Sequence, residues 1–123
     1  RMIVVMRADH DGGTHYLFEA CSELIKDAKN KGFTIISIEG KDLNEGYIKK
    51  RISNNNPSFL FFNGHGSESG LYNNEKKVLI DCDSADIFSD TVAYTRACDC
   101  IHKLGKEAVK KGCKAFIGYK RKF

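Results

Sequence analysis

His65 and Cys98 are the residues whose types and surroundings can do chemistry together. Each follows an apolar run. Phe59–Phe62 (FLFF) leads into Asn63-Gly64-His65-Gly66, and Thr91–Thr95 (TVAYT) leads into Arg96-Ala97-Cys98. A free thiol has a pKa of about 8.5, so it is mostly protonated and a poor nucleophile at neutral pH. An imidazole within reach takes that proton or forms a thiolate–imidazolium pair. Gly66 lets a backbone approach closely, so its N–H can join that of Cys98 in binding an oxyanion. Spacing by itself equally allows a plainer assignment, a capped loop histidine and a core cysteine.

The chemistry requires two neighbouring strands, and the chain supplies a full alternation of strands and helices. Met2–Met6 (MIVVM) reads as a strand buried on both faces. Thr14 suits an N-cap, and Leu17, Ala20, Cys21, Leu24, Ile25 and Ala28 form one helix face that Gly32 ends. Phe33–Ile38 (FTIISI) is a second strand. Asp42 with Glu45 reads as a capping box for a helix carrying Tyr47, Ile48 and Ile52, broken by Asn54-Asn55-Asn56-Pro57. Leu71–Ile80 suits a small hairpin, and Ser84–Ser89 one helical turn. Ile101, Leu104, Ala108 and Val109 mark a helix face closed by Gly112, before a last strand at Ala115–Gly118.

The expected fold is therefore α/β, a three-layer sandwich whose mostly parallel, twisted sheet has helices on both faces. Right-handed crossovers place every strand's C-terminal end on one edge, where ligands bind in open sheets of this type. The Asp9–Gly13 loop, the His65 loop and the Cys98 loop are expected to share that edge.

Composition narrows the function classes. A chain of 123 residues fits one domain, 1–123, and a domain of this size hides roughly two-thirds of its unfolded surface. No apolar run approaches the ~20 residues of a membrane span. Twenty basic residues against sixteen acidic ones leave a charge of +4, and neither basic cluster, Lys49–Arg51 or Lys120–Lys122, is interleaved with aromatics. That footprint argues against nucleic acid as partner. Five cysteines exclude a complete disulfide framework. Cys21 and Cys113 read as small buried hydrophobes, which points to a reduced, cytoplasmic setting.

Two motifs carry a family resemblance. Phe59–Tyr72 (FLFFNGHGSESGLY) is similar to the histidine motif of the caspase-like, clan CD cysteine peptidases: an apolar block, His-Gly, a short spacer and Gly, here His65, Gly66 and Gly70. Thr91–Cys98 (TVAYTRAC) resembles the second motif, an apolar block ending in Ala-Cys. Gly112–Tyr119 (GCKAFIGY) looks like the strand after the nucleophile helix in the CHAT and gingipain-like branches. The resemblance implies a caspase-like sheet of flavodoxin-like topology and cysteine endopeptidase activity on a peptide or protein substrate. It implies Cys98 as nucleophile, His65 as general base and acid, the N–H groups of Gly66 and Cys98 as oxyanion hole, and no metal or organic cofactor. Asp9 and Asp11 would favour a basic residue before the scissile bond, and Arg96, which stands where caspases carry Gln, would lie beside the nucleophile. Against the family plan the chain looks like a bare core, so activity is expected to need more chain, a partner or a homodimer.

Three rivals stand beside this reading. Cys98-x-Cys100 with Cys82, His65 and His102 offers soft ligands for zinc, although knuckles place two to four residues between cysteines. A receiver or flavodoxin-like binding domain shares the alternation, but the third strand runs into Asn63-Gly64-His65 where a receiver needs an aspartate, and no phosphate-binding Gly-x-x-x-x-Gly-Lys loop is present. A caspase-like domain without catalysis, serving as scaffold or sensor, is the third.

Overall fold

Five short apolar runs pair as one parallel sheet in the computed structural model, which describes residues 2–8, 22–73, 77–97 and 99–119. The chain runs from β1 (Met2–Arg7) through helix α1 (residues 22–30) to β2 (Thr34–Glu39) and α2 (Glu45–Asn55). It continues through β3 (Phe59–Asn63) and an antiparallel hairpin of β4 (Gly70–Tyr72) with β5 (Val78–Asp81). After β6 (Val92–Arg96) come a π-helical turn (Ile101–Gly105), α3 (Lys106–Lys110) and β7 (Ala115–Ile117). The sheet order is β2-β1-β3-β6-β7. The order reverses at β1, so the edge between β1 and β3 is the switch point where open parallel sheets form a crevice.

Strand alternation divides the sheet into two unlike faces. Val4, Met6, Leu60, Phe62 and Ala93 point to one face and are buried there with Ile48 of α2, Phe88, and Leu104 and Ala108 of the last helix. The opposite face carries Ile3, Val5, Phe59 and Phe61, which share an apolar groove with Leu24, Ile25 and Ala28 of α1. This groove is open, and Leu24 is 54% exposed. Arg7 ties α1 to the sheet: its guanidinium donates to the Glu39 carboxylate and, from Nη1, to the Ser22 hydroxyl at 2.9 Å. Among the described residues no helix is long and apolar enough to cross a membrane.

Most element boundaries fall within a residue or two of expectation, and two expectations are corrected. The cap of α2 is Asn44, not Asp42. Asn44 is extended (φ −142°), and its side chain accepts from the Tyr47 N–H at 2.9 Å, satisfying one donor that a helix start leaves unpaired. Asp42 instead closes a 3₁₀ turn, Gly40–Asp42. Val109 is not on the buried face of the last helix and is 52% exposed. The π-helical turn adds a residue ahead of α3 and so rotates the face that a 3.6-residue period predicts. Thr14, Leu17, Ala20 and Cys21 lie outside the described residues.

Candidate functional site

The two strands that precede His65 and Cys98 are hydrogen-bonded neighbours. In the β3–β6 register Asn63 pairs with Arg96, so His65 and Cys98 each follow a paired strand end by two residues. Parallel neighbours lie about 4.8 Å apart. The pairing continues past the strand ends: the Ala8 N–H donates to the Asn63 carbonyl at 2.9 Å, and the Gly64 N–H to the Arg96 carbonyl at 3.2 Å. Gly64 allows this closeness. A Cβ there would stand 2.9 Å from the Ala8 Cβ and 3.1 Å from the Phe62 ring. Gly64→Ala is therefore expected to displace the His65 turn, cost about 1–3 kcal/mol by overpacking, and reduce any His65-dependent turnover by about 10²-fold. Thermal unfolding and kcat/KM measured together would check both effects.

The loop after His65 folds back on itself and then grips the far side of the site. The Tyr72 N–H donates to the His65 carbonyl at 3.0 Å and the Ser67 N–H to the Gly70 carbonyl at 2.8 Å. These two bonds flank the antiparallel bridge Gly66↔Leu71. Gly66 is thus in a non-hydrogen-bonded pair, and its own N–H turns away from the hairpin. Among the described residues that N–H has no acceptor. The Glu68 carbonyl accepts from both Lys103 (3.1 Å) and Leu104 (2.9 Å) in the first turn after Cys98. The neighbouring Lys103–Glu68 ion pair at 3.7 Å is exposed on both sides and adds little.

Asp99 adopts the left-handed conformation, φ +58°, which bends the chain sharply between β6 and the π-helical turn. Aspartate tolerates this region better than most side chains. Cys98, Asp9 and Asp11 lie outside the described residues, whereas His65, Gly66 and Arg96 are described and half-exposed.

The remaining thiols separate clearly. Cys100 is fully buried, its Sγ 2.8 Å from the Thr95 hydroxyl and 3.5 Å from the Ala97 carbonyl. It packs under the end of β6 as a core residue. Cys113 is buried as expected, and burial pushes its thiol up. Burial also raises the Cys82 thiol, followed by the Glu107, Asp81 and Asp83 charges. Both thiols therefore stay protonated at neutral pH. Iodoacetamide should label them slowly at pH 7, with the Cys82 rate climbing about tenfold per pH unit as its thiolate forms. Mass-spectrometric mapping across pH 7–9.5 reads this directly.

Among the described residues no three or more His, Cys, Asp and Glu side chains are grouped to hold a metal ion. The described residues also form grooves elsewhere. One of about 490 Å³, lined by Ser53, Ser58, Asp86, Asp90 and Lys114 among others, opens at the opposite, N-terminal edge of the strands.

Two contributors escaped the sequence reading. Glu68 acts through its backbone, which no side-chain pattern reveals. Asn63 did leave a signal, as a polar residue ending an otherwise apolar strand. Neither protein-family models nor curated proteins match the chain.

Proposed function

We propose that this chain is a caspase-like cysteine peptidase domain, with Cys98 as nucleophile and His65 as general base and then acid. The observation that carries the reading is the β3–β6 register, which sets the two residues equally far beyond paired strand ends. The Gly66 N–H, which has no acceptor among the described residues, supports the reading as a donor available to an oxyanion. The sheet, counted along the chain without the hairpin, has the order 2-1-3-4-5 of flavodoxin-like folds, which suits the caspase-like topology.

In this reading His65 takes the Cys98 proton, and the thiolate attacks the substrate carbonyl carbon. The N–H groups of Gly66 and Cys98 hold the resulting oxyanion. His65 returns the proton to the leaving amine, which leaves a thioester. Water, deprotonated by His65, then hydrolyses the thioester and restores the thiol. The substrate in this reading is a peptide or protein. Digestion of a peptide library by wild type and by Cys98→Ala tests the proposal. Cleavage by wild type alone supports it, and identical patterns with both proteins favour a scaffold role instead.

A further inference from the structure

Asn63-Gly64 is the one Asn-Gly pair in the sequence. Such a pair loses ammonia more readily than other asparagine dipeptides, because glycine has no Cβ to hinder its main-chain nitrogen. The two positions are constrained in different ways. Packing demands glycine at 64, where a Cβ would stand 2.9 Å from the Ala8 Cβ. Hydrogen bonding does not demand asparagine at 63. The residue is 0% exposed, yet neither its side-chain oxygen nor its nitrogen has a partner among the described residues. A buried amide without partners is costly, and no hydrogen bond holds it away from the next nitrogen. That nitrogen is the restrained group. The Gly64 N–H donates to the Arg96 carbonyl at 3.2 Å, just beyond the paired ends of β3 and β6. Bonds at such margins open more readily than those inside a sheet. The in-register neighbours of Asn63 are both cationic, Arg7 on β1 and Arg96 on β6. Arg7 is buried and Arg96 half-buried.

We propose that Asn63-Gly64 is a self-modification site that deamidates when this strand end opens, and that the fold accepts the resulting aspartate between Arg7 and Arg96. Once released from Arg96, the Gly64 nitrogen gives up its proton and attacks the Asn63 Cγ. The Cγ–Nδ2 bond breaks, and the departing nitrogen takes up a proton and leaves as ammonia. The product is a five-membered succinimide. Water, the one co-reactant, adds to either ring carbonyl and opens the ring. Cleavage between Cγ and the Gly64 nitrogen gives aspartate. Cleavage between the Asn63 main-chain carbonyl carbon and that nitrogen gives isoaspartate. The aspartate keeps the main chain, and its carboxylate gains two guanidinium neighbours, so the strand end re-forms. The isoaspartate lengthens the main chain by one carbon ahead of His65. It also removes the Asn63 carbonyl from its 2.9 Å bond with the Ala8 N–H. One dipeptide thus leads to two states of this edge, one intact and one broken.

This chemistry is independent of peptidase activity, so the experiment reads the modification itself. The protein is held at mildly alkaline pH, folded and in guanidinium chloride. Peptide mass spectrometry follows the change from amide to acid at Asn63 and separates aspartate from isoaspartate. Hydrogen exchange of the Gly64 amide is measured on the folded protein. In the unfolded chain Asn63 should react before every other asparagine. Folding should slow it by the protection factor of the Gly64 amide, because one opening frees that nitrogen for both reactions. Folded Asn63 that reacts as fast as in the unfolded chain, or stays intact far longer than that factor allows, overturns the proposal. The second half is tested on Asn63→Asp, which reproduces the aspartate product. Its unfolding midpoint should be no lower than that of wild type, and Arg96→Gln should lower it more than the same change lowers wild type. A lower midpoint for Asn63→Asp, or equal effects of Arg96→Gln in the two backgrounds, overturns the pairing of the new carboxylate with its arginine neighbours.

Discussion

His65→Ala is expected to lower peptide cleavage by about 10²–10⁴-fold, the range that a positioned proton-transfer group contributes. The structure argues that the loss will be chemical. Two strand-end bonds around His65 are made by the backbone: its carbonyl accepts from the Tyr72 N–H, and the preceding Gly64 N–H donates to the Arg96 carbonyl. Removing the imidazole leaves those two backbone bonds in place, so the fold should persist while cleavage is lost. His65→Gln keeps polarity and bulk but cannot shuttle a proton, so it should be as inactive as His65→Ala. Retention of cleavage in His65→Gln would move the general base to another residue. Matched kcat/KM values and thermal melts of the three proteins decide it.

Phe62→Ala is expected to have the largest effect on stability. The ring is 0% exposed and belongs to the core beneath β3. Deleting a buried phenyl group typically costs about 3–5 kcal/mol, transfer and cavity terms together. Domains of this kind usually hold only about 5–15 kcal/mol, so much of the folded population is at risk. The same ring lies under Gly64, close enough that a Cβ there would be 3.1 Å away. The cavity would therefore open below the turn that presents His65, and activity should fall even where folding persists. Phe62→Leu should cost less, because part of the volume is retained. Urea titration with an unchanged m-value would assign the loss to packing and not to a more expanded denatured state.

The strands were the legible part of this molecule. Runs such as MIVVM, FTIISI and FLFF are too short and too β-branched or aromatic for helices, and each became a strand of the sheet. Gly32 and Gly112 take positive φ just after α1 and α3, as helix ends commonly require. The features that stayed hidden depend on local geometry. The cap of α2 moved from Asp42 to Asn44 because both residue types can cap, and only the extended backbone at Asn44 decides between them. Cys100 looked like a ligand or redox partner because it lies two residues from Cys98. The left-handed bend at Asp99 precedes a turn in which Cys100 points into the core toward Thr95. Asn63 was visible as a residue, but its lack of partners emerges only when three strands are laid in register.

The Glu68 carbonyl has a kinetic consequence. Its two acceptor bonds join the segment carrying His65 to the first turn of the helix that follows Cys98. Neither segment can swing away without uncovering the Lys103 and Leu104 amides. Those two amides should exchange with deuterium at a common rate, and that rate should match the opening of the Tyr72 amide, which is bound to His65. Hydrogen exchange at three backbone positions thus becomes a clock for how often this edge of the sheet comes apart.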